Sequence, residues 1–507
     1  MDNLPELILE SSDPLLKRTL STTADDGIMK IIGTTSPKKL TVNNISFSGG
    51  EGTDIGGVRC GGAVASLSSG TVSFENCSFI DQVTISGGRG GKVYIGNGTV
   101  LFENCSFSGG RVTSGGMGGA LYISKGDVTL DSCIIGKDIT DFTGFTAPIL
   151  NNNSNLSVYG GAFAVYPDNG SLASLSLINT IIGYNYSHNA GTLYLAGAGT
   201  INLTIDSNSK IYGNAVSTNG NGGAIETAGS GVVNLTVEGY IGYNTAKNGS
   251  AVYIGGNNGS TTFTSTSIIE KNNCIDPDPA DKAAVYFSPN ATTETKLILK
   301  GLISGNTFDN TNKAYDVYVC NKNNSYFYTG EAFKLSGSDG TSPGIIRLGD
   351  NVIHKAGDYT STGILAAIIP PEYNANITQV LETSHAAADN NRFSVVPDGT
   401  SQWYIDNNGI LQTADAVVST AGELITSIEN APTGTEVSII LQGDIDINTI
   451  TMDAGQNIKL IASQDITITA SVPGAEFIIV SYGSTLTLGD EHHTITIKGT
   501  GTSDKGI

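Results

Sequence analysis

Thr71-Val-Ser-Phe-Glu-Asn-Cys-Ser-Phe79 recurs as Thr99-Val-Leu-Phe-Glu-Asn-Cys-Ser-Phe107 and again as Asp127-Val-Thr-Leu-Asp-Ser-Cys-Ile-Ile135. The three copies begin 28 residues apart, and each alternates apolar with polar residues as a half-buried strand does. Gly-Gly-Ala followed by apolar residues recurs in phase with them, its third position falling at residues 63, 92, 120, 162, 192, 224, 251, 284 and 316. An apolar pair followed by asparagine also recurs, ending at Asn185, Asn214, Asn244 and Asn306.

These repeats predict an all-β fold, a right-handed parallel β-helix of about 28–32-residue coils. Each repeat supplies three short strands, with glycine or asparagine at the corners. Equivalent strands of successive coils then pair, and the inward residues form continuous stacks. A propeller blade needs about 40–45 residues and four antiparallel strands, so the observed spacing excludes it. The four asparagines, with Asn272 between the last two, are predicted to form an amide ladder at one corner.

The repeat changes twice along the chain. A first parallel β-helix is predicted for residues 1–345 and a small β capping segment for residues 346–412. That segment ends in a hairpin signal, with Asn408-Gly409 at the turn after Trp403. Residues 413–507 are predicted to form a short capping helix and the first coils of a second β-helix. The helix follows from the capping-box pattern of Thr420 and Glu423.

Composition limits the partners and the chemistry. The net charge of −21 over 507 residues argues against nucleic acid and an anionic membrane surface as partners. No apolar run reaches the roughly 20 residues of a membrane helix, so no membrane-spanning segment is expected in this chain. Six cysteines form no CxxC pair, which makes a zinc site improbable. The start lacks the features of a signal peptide, so the chain is cytosolic or cut from a longer precursor.

Gly-Gly-Ala paired with Phe-x-x-Asn resembles the repeats of the polymorphic outer membrane proteins, although Phe74-Glu-Asn-Cys77 carries its asparagine one position early. The later Ile-x-Gly-Asn and Ala-Val-Tyr forms are similar to spirochaete-type surface proteins with right-handed parallel β-helix repeats. The resemblance covers residues from about 40 to 345. It implies a cell-surface, outer-membrane or extracellular location and an adhesin, usually the passenger of an autotransporter. The implied partner is a host surface protein, matrix or glycan.

The alternative to a non-catalytic scaffold is an enzyme, because some polysaccharide lyases and hydrolases also have a β-helix fold. The Asn-Thr-Asp, Gly-His-Gly and Arg-Ile-Lys motifs of galacturonan hydrolases are absent, and Asp25-Asp26 precedes the repeats. Lyases need a basic residue beside a calcium-binding acidic cluster, and the coils carry few arginines and carboxylates. We therefore expect no enzyme and no catalytic, cofactor-binding or metal residues. A glycan-binding or polysaccharide-degrading protein stays the alternative.

Several residue groups could carry chemistry, and each has a simpler interpretation. Cys77, Cys105 and Cys133 should form one inward column of buried thiols rather than a redox or metal site. A solvated loop is favoured over a calcium site for Asp276, Asp278 and Asp281, and His492-His493 would point to opposite faces of a strand. The weaker motifs are a phosphate-loop mimic at Gly87–Lys92, which the repeat explains, and an integrin-like tripeptide at Lys125–Asp127.

Four tyrosines occupy one slot of the repeat and should stack: Tyr94, Tyr122, Tyr194 and Tyr253. The alternation places Leu121 and Ile123 on the opposite face of the strand from Tyr122, without deciding which face is inside. A row of outward aromatic residues would favour the glycan alternative.

The two ends of the chain resemble each other. Ile31 and the alternating apolar and polar residues that follow it correspond to Ile479 and the alternating residues that follow Ile479. The offset is 448 residues. We therefore expect the chain to be an internal piece of a longer protein that begins and ends within two copies of one module.

Overall fold

The computed structural model describes residues 6–11, 17–22, 26–33, 39–80, 83–84, 87–112, 115–137, 156–217, 219–256, 259–275, 282–289, 294–308, 314–320, 324–383, 385, 387–390, 392–399, 402–406, 408–462, 465–472, 478–489 and 494–499. The protein is all-β, with 53% strand and 3% helix, and forms a parallel β-solenoid of about 14 turns of about 29 residues. The predicted parallel β-helix is therefore confirmed. One compact unit comprises Met1–Asn351 and Ala356–Ser361, and the other comprises Val352–Lys355 and Thr362–Ile507.

Most coils of the first unit contribute strands to four parallel sheets, numbered here in their order along a coil. The first sheet contains Glu6–Glu10, Lys39–Asn43, Thr71–Glu75, Thr99–Glu103, Gly126–Asp131, Leu172–Ile178, Thr200–Ile205, Val232–Val237, Ser260–Phe263, Thr295–Leu299 and Ser325–Thr329. The second contains Arg18–Thr22, Ile45–Gly49, Ser78–Ile80, Ser106–Ser108, Ile134–Gly136, Ile181–Gly183, Lys210–Tyr212, Tyr240–Gly242, Ile268–Glu270, Leu302–Ser304 and Lys334–Ser336.

The other two sheets complete the coil. The third contains Val83–Thr84, Arg111–Val112, Leu156–Ser157, Tyr186–Ser187, Ala215–Val216, Thr245–Ala246, Asn273–Cys274 and Thr307–Phe308. The fourth contains Met29–Ile31, Val64–Ser66, Val93–Ile95, Leu121–Ile123, Phe163–Val165, Leu193–Leu195, Ile225–Thr227, Val252–Ile254, Lys282–Phe287, Ala314–Val319 and Ile345–Leu348. An antiparallel hairpin of Thr53–Ile55 and Val58–Cys60 is inserted between coils. The sequence predicted three strands per coil; the third sheet was missed because two-residue strands are too short to show alternation.

The corner between the first and second sheets explains the Glu-Asn-Cys motif. Asn76 and Asn104 have φ of 54° and 51°, the left-handed conformation that asparagine tolerates better than most residues. The corner turns the chain so that Phe74 of the first sheet and Phe79 of the second both point inward, where each is fully buried.

The core of the first unit is a set of side-chain stacks that run from coil to coil. Phe74 lies 5.1 Å from Phe102, and Phe79 lies 4.7 Å from Phe107, measured between ring centroids of nearly parallel rings. Such stacked pairs add to the free energy gained by burying the rings. On the fourth sheet the buried column includes Leu121 and Ile123, which settles the orientation that the sequence left open.

The second unit begins with several short strands and continues as a smaller β-helix. Its strands are Ile353–Lys355, the parallel pair Ala366–Ile369 and Phe393–Val395, and the antiparallel hairpin Gln402–Ile405 and Leu411–Ala414. One parallel sheet contains Ala416–Val418, Glu436–Leu441, Asn457–Ala462 and Thr485–Leu488. A second contains Ile445–Ile447, Ile466–Ala470 and Ile495–Lys498, and a third contains Ile450–Met452 and Ile478–Val480. The described helices are Ala387–Asn390 and Ala421–Glu429.

The helix Ala421–Glu429 caps the core of this second β-helix, as the sequence predicted. The Thr420 side chain accepts a hydrogen bond from the Glu423 backbone, and the Glu423 carboxylate accepts one from the Thr420 backbone, which completes the capping box. Leu424 and Ile428 are buried in the apolar cluster of the coils. Gln456 Nε2 donates to the carbonyl oxygens of Ile428 and Ala431 at the end of the helix, where carbonyl groups lack partners within the helix.

Candidate functional site

The asparagine corner carries a continuous amide ladder, which confirms the prediction. The Nδ2 groups of Asn185, Asn214, Asn244 and Asn272 each donate to Oδ1 of the next asparagine along the stack, at 3.0 to 3.2 Å. The same Oδ1 atoms accept from the backbone N–H of the preceding asparagine. All five asparagines are buried. The ladder is a structural element, because its amides bond to one another and to the backbone.

Asp316 ends this ladder. Its Oδ1 accepts from Asn306 Nδ2 at 3.4 Å, and its Oδ2 accepts from the backbone N–H of Ile345 at 3.0 Å. Burial raises the pKa of this carboxyl from 3.8 to about 7, although both hydrogen bonds oppose the shift. A carboxyl group suits this position because it supplies an acceptor for Asn306 Nδ2, the last amide donor of the ladder.

The cysteines of the repeat form the predicted column of buried thiols. Cys77, Cys105 and Cys133 are at most 2% exposed, and each Sγ donates to a backbone carbonyl of the preceding coil at 3.3 to 3.4 Å. Burial raises the pKa of the Cys105 thiol far above its usual range. Thr180 continues the column, with Oγ1 donating to the Leu130 carbonyl at 3.1 Å. A column in which threonine replaces cysteine is a packing element rather than a redox site.

The tyrosines lie in one column on the fourth sheet, as predicted, and the column is on the outer face, which the sequence left open. The stacking within it is interrupted. The register runs Tyr94, Tyr122, Ala164, Tyr194, Glu226, Tyr253, Tyr286 and Tyr318. Rings stack at 5.5 Å for Tyr94 and Tyr122, 5.1 Å for Tyr253 and Tyr286, and 4.7 Å for Tyr286 and Tyr318. Each stacked pair places one face of each ring against its neighbour, which reduces the aromatic surface left for a ligand.

The inserted hairpin covers the first part of this column. Tyr94 and Tyr122 are buried in a cluster with Cys60, against which Ile55 and Val58 pack. Arg89 lies over the Tyr122 ring, 5.3 Å from its centroid. This coverage explains why Tyr122 is buried although it points away from the core.

Glu226 interrupts the column between Tyr194 and Tyr253. Its Oε2 accepts from the backbone N–H of Gly191 at 3.1 Å, and its side chain is 9% exposed. Burial raises the pKa of this carboxyl from 4.5 to about 8. A single carboxyl held between tyrosines provides no second acid or base, so it does not by itself form a hydrolytic pair.

A row of small neutral side chains covers the outer face of the first sheet over four coils. We call this set the polar face; its members are Ser174, Ser176, Asn202, Thr204, Asn234, Thr236 and Thr262. The register places them in two columns, for Ser174 pairs with Asn202 and then Asn234, and Ser176 pairs with Thr204, Thr236 and then Thr262. All seven point outward and are half-buried or exposed, between inward neighbours that are buried.

The polar face is organised laterally. Asn234 Nδ2 donates to Asn202 Oδ1 at 2.9 Å, and the hydroxyls of Ser176 and Thr204 lie 3.3 Å apart. Exposed aliphatic side chains border the face, Leu172 and Ile178 on one coil and Val232 on another. In the Ser174 column the register continues to charged side chains, Asp127 at one end and Lys296 after Ser260 at the other. In the Ser176 column it continues to the neutral side chains of Thr129 and Ile298. The result is an uncharged strip on a chain whose net charge is −21.

The remaining candidates from the sequence are not brought into a site. Lys92 is fully buried, so the phosphate-loop mimic lacks an accessible ammonium group. Lys125 and Asp127 are exposed at the turn into the strand Gly126–Asp131. Asp25, Asp276, Asp278, Asp281, His492 and His493 lie outside the described residues. Within the described residues, no group of three histidine, cysteine, aspartate or glutamate side chains could hold a metal ion.

The polar face was not predicted from the sequence. Its signal was present as Ser174-Leu-Ser176, Asn202-Leu-Thr204 and Asn234-Leu-Thr236, one neutral pair per coil, but such pairs look like ordinary exposed strand positions. Only the register shows that they are adjacent.

No family model, no curated protein and no solved structure matches the chain. Among the described residues, neither helix is long and apolar enough to cross a membrane.

Proposed function

We propose that this protein is a non-catalytic adhesive scaffold of the cell surface that binds an extended neutral glycan along the polar face. The surface location and the adhesive role come from the resemblance of the repeats to bacterial surface proteins. The observation that carries the choice of ligand is the polar face itself, seven neutral side chains in register over four coils.

The spacing of the polar face suits a polymer. Equivalent side chains on neighbouring coils are about 4.8 Å apart, the distance between paired strands. Hydroxyl and amide groups both donate and accept hydrogen bonds, as do the hydroxyls that recur on every sugar of a glycan. Each contact contributes only about 0.5–1.5 kcal/mol, so useful affinity needs several coils to bind one chain at once.

Charge supports a neutral glycan over an acidic one. The seven side chains carry no charge, and a net charge of −21 repels polyanions such as uronate polymers. Leu172, Ile178 and Val232 supply apolar surface beside the strip, where the C–H faces of sugar rings would pack. The tyrosine column is less suited to this role because its stacked pairs use their ring faces on one another.

The test is retention of the full chain on neutral polysaccharides, measured by affinity electrophoresis with soluble β-glucan, xylan and mannan. We expect at least one of them to retard the chain. The double substitution Asn202→Lys and Asn234→Lys places two bulky cations in the middle of the strip and should weaken that retention about tenfold or more, since it removes hydrogen bonds at two coils.

Thr99→Lys is the matched control, because Thr99 is exposed on the outer face of the same sheet but belongs to another coil outside the polar face. It should leave the retention unchanged. No retention by any neutral polysaccharide, or equal retention of the double variant and the wild type, would refute the proposal. Shortening of the polysaccharide during the assay would instead support the polysaccharide-degrading alternative.

A further inference from the structure

A cavity of about 330 Å³ lies in the second unit, away from the polar face. The strand Gln402–Ile405 of the antiparallel hairpin supplies one wall. The opposite wall includes Val417 and Ile440, which project from the outer face of the parallel sheet and pack against Tyr404. The volume lies at the lower end of the range for small-ligand sites.

Aromatic side chains make much of the lining. Trp403, Tyr404 and Phe393 all contribute. Trp403 is held in place, since its Nε1 donates to Asp398 Oδ1 at 2.8 Å and its ring lies 5.3 Å from that of Tyr373. A fixed indole at a cavity wall offers apolar surface whose position is already determined before a ligand arrives.

Asn390 adds a buried polar side chain to the lining of the cavity. Its side chain is 1% exposed, and its Nδ2 donates to the Asp406 carbonyl at 2.6 Å. Its Oδ1 is also buried, and among the described residues it has no hydrogen-bond partner. A buried acceptor without a donor is unfavourable, so a ligand that brings a hydroxyl to this oxygen would bind more tightly than one that cannot. The other amides in the wall are Gln402 and Gln442.

The described lining residues carry no charged side chain, which makes phosphates, carboxylates and amines poor ligands. A purely apolar ligand would leave Asn390 Oδ1 unpaired. A sugar ring combines an apolar face with hydroxyl donors around its edge, and therefore matches both halves of the lining. We propose that this cavity binds one neutral sugar unit, with a hydroxyl donating to Asn390 Oδ1 and the ring packed against Trp403. The inference is independent of the polar face.

Trp403 is the single tryptophan of the chain, so intrinsic fluorescence reports directly on this cavity. The experiment titrates the full chain with glucose, galactose, mannose and N-acetylglucosamine, with galacturonate as a charged probe and benzene as an apolar one. We expect a saturable change with at least one neutral sugar and none with galacturonate. Ligand-observed NMR on the same samples confirms binding without relying on the fluorophore.

Two variants locate the site. Asn390→Leu removes the acceptor and should weaken sugar binding about tenfold. Ser394→Phe fills the cavity from the strand Phe393–Val395 and should abolish binding. If Asn390→Leu does not fold, Ser394→Phe still tests the site. Thr451→Phe places the same ring at an exposed position of the second unit, outside the lining, and should bind sugar like the wild type.

Three outcomes would overturn the proposal. The first is the absence of a saturable change with every neutral sugar. The second is binding of benzene alone, which would make the cavity an apolar site. The third is sugar binding that survives both Asn390→Leu and Ser394→Phe, which would place the sugar elsewhere.

Discussion

Asn244 makes four hydrogen bonds through one buried side chain. Its Oδ1 accepts from the backbone N–H and from Nδ2 of Asn214, and its Nδ2 donates to the Ile211 carbonyl and to Asn272 Oδ1. We predict that Asn244→Leu lowers the free energy of unfolding by about 2–4 kcal/mol, because it orphans two buried donors of Asn214. The checks are the urea midpoint and faster hydrogen exchange of the Asn214 amide.

Asn234→Leu is the control for this substitution. Asn234 also forms an amide–amide bond, to Asn202, but it lies exposed on the polar face. Its replacement should change the free energy of unfolding by less than about 0.5 kcal/mol. Equal effects of the two substitutions would show that the buried ladder is not what stabilises the coils.

Asp316 should make stability depend on pH. The folded carboxyl keeps its proton up to about pH 7, whereas in the unfolded chain it ionises near its ordinary pKa of 3.8. Between these values the folded state binds more protons, so the free energy of unfolding falls as the pH rises. We predict that Asp316→Asn, which keeps an acceptor for Asn306, makes the urea midpoint less dependent on pH between 4 and 7.

Asp339→Asn serves as the comparison for Asp316. Hydrogen bonds from Ser342 and Thr341 lower the pKa of this exposed carboxyl to about 2, so both its folded and its unfolded pKa lie below the window and its titration is nearly complete above pH 5. The slope between pH 5 and 7 should therefore match that of the wild type. A slope that Asp316→Asn leaves unchanged would contradict the assignment of the buried proton to Asp316.

Some residue roles were predictable from the sequence and others were not. Asn185 and Asn214 could be placed in a ladder because both follow an apolar pair at the repeat spacing. Tyr122 could not be assigned to a face, since the hairpin Thr53–Cys60 that buries it comes from an insertion outside the repeat. Asn390 could not be recognised at all, because its burial, and the lack of a partner for its oxygen among the described residues, depend on tertiary packing.

The helix Ala421–Glu429 covers the apolar core of the coils in the second unit. Leu424 is fully buried in the core of the coils. We predict that Leu424→Ala lowers the free energy of unfolding of this unit by about 2–5 kcal/mol, the range for cavity-forming substitutions. Trp403 lies in the same unit, so its fluorescence during urea denaturation measures the change.

Thr426→Ala tests whether the loss comes from burial rather than from the helix itself. Thr426 is exposed on the same helix, and alanine favours helix formation slightly. Its replacement should leave the midpoint within about 0.5 kcal/mol of the wild type. A comparable loss in both variants would mean that the helix contributes through its backbone and not through its apolar face.

Some helices and strands could be predicted from the sequence and others could not. The capping box of Thr420 and Glu423 identified this helix from four residues, because both partners of its hydrogen bonds are local. The two-residue strands of the third sheet, such as Ala215–Val216, leave no periodic signal. They exist because the neighbouring coil offers a strand to pair with, which is information that no single repeat contains.

For the first unit as a whole, removing one complete coil should be tolerated. Asn202 and Asn234 are in register, so deletion of residues 202–233 joins Ile201 to an equivalent position one coil later. We predict that this variant folds with the same far-UV circular dichroism per residue and unfolds cooperatively. The shortened polar face should retain less glycan in the electrophoretic assay.

Deletion of residues 202–213 is the counterpart, since it removes less than a coil. It joins a first-sheet position directly to the corner residue Asn214 and leaves the following strands out of register. We expect this variant to aggregate or to be digested rapidly by protease. Equivalent behaviour of the two deletions would contradict a stack held together by register.

The two predicted domain boundaries and the duplicated module stay predictions. The strands Met29–Ile31, Lys39–Asn43 and Ile45–Gly49 enter three successive sheets of the first unit. The strands Ile478–Val480, Thr485–Leu488 and Ile495–Lys498 enter three successive sheets of the second in the same way. The repeat was therefore a sound guide to the order of strands at the level of the whole molecule.

The amide ladder also affects how the stack of coils responds to a pulling force. Because every amide in it bonds to the coil on each side, a coil pulled from the stack must rupture its asparagine bonds together with its strand pairing. Tension on the chain is then released one coil at a time, and each coil of about 29 residues frees about 100 Å of extension. A stack of this kind lengthens in steps and dissipates work at each one, instead of failing in a single event.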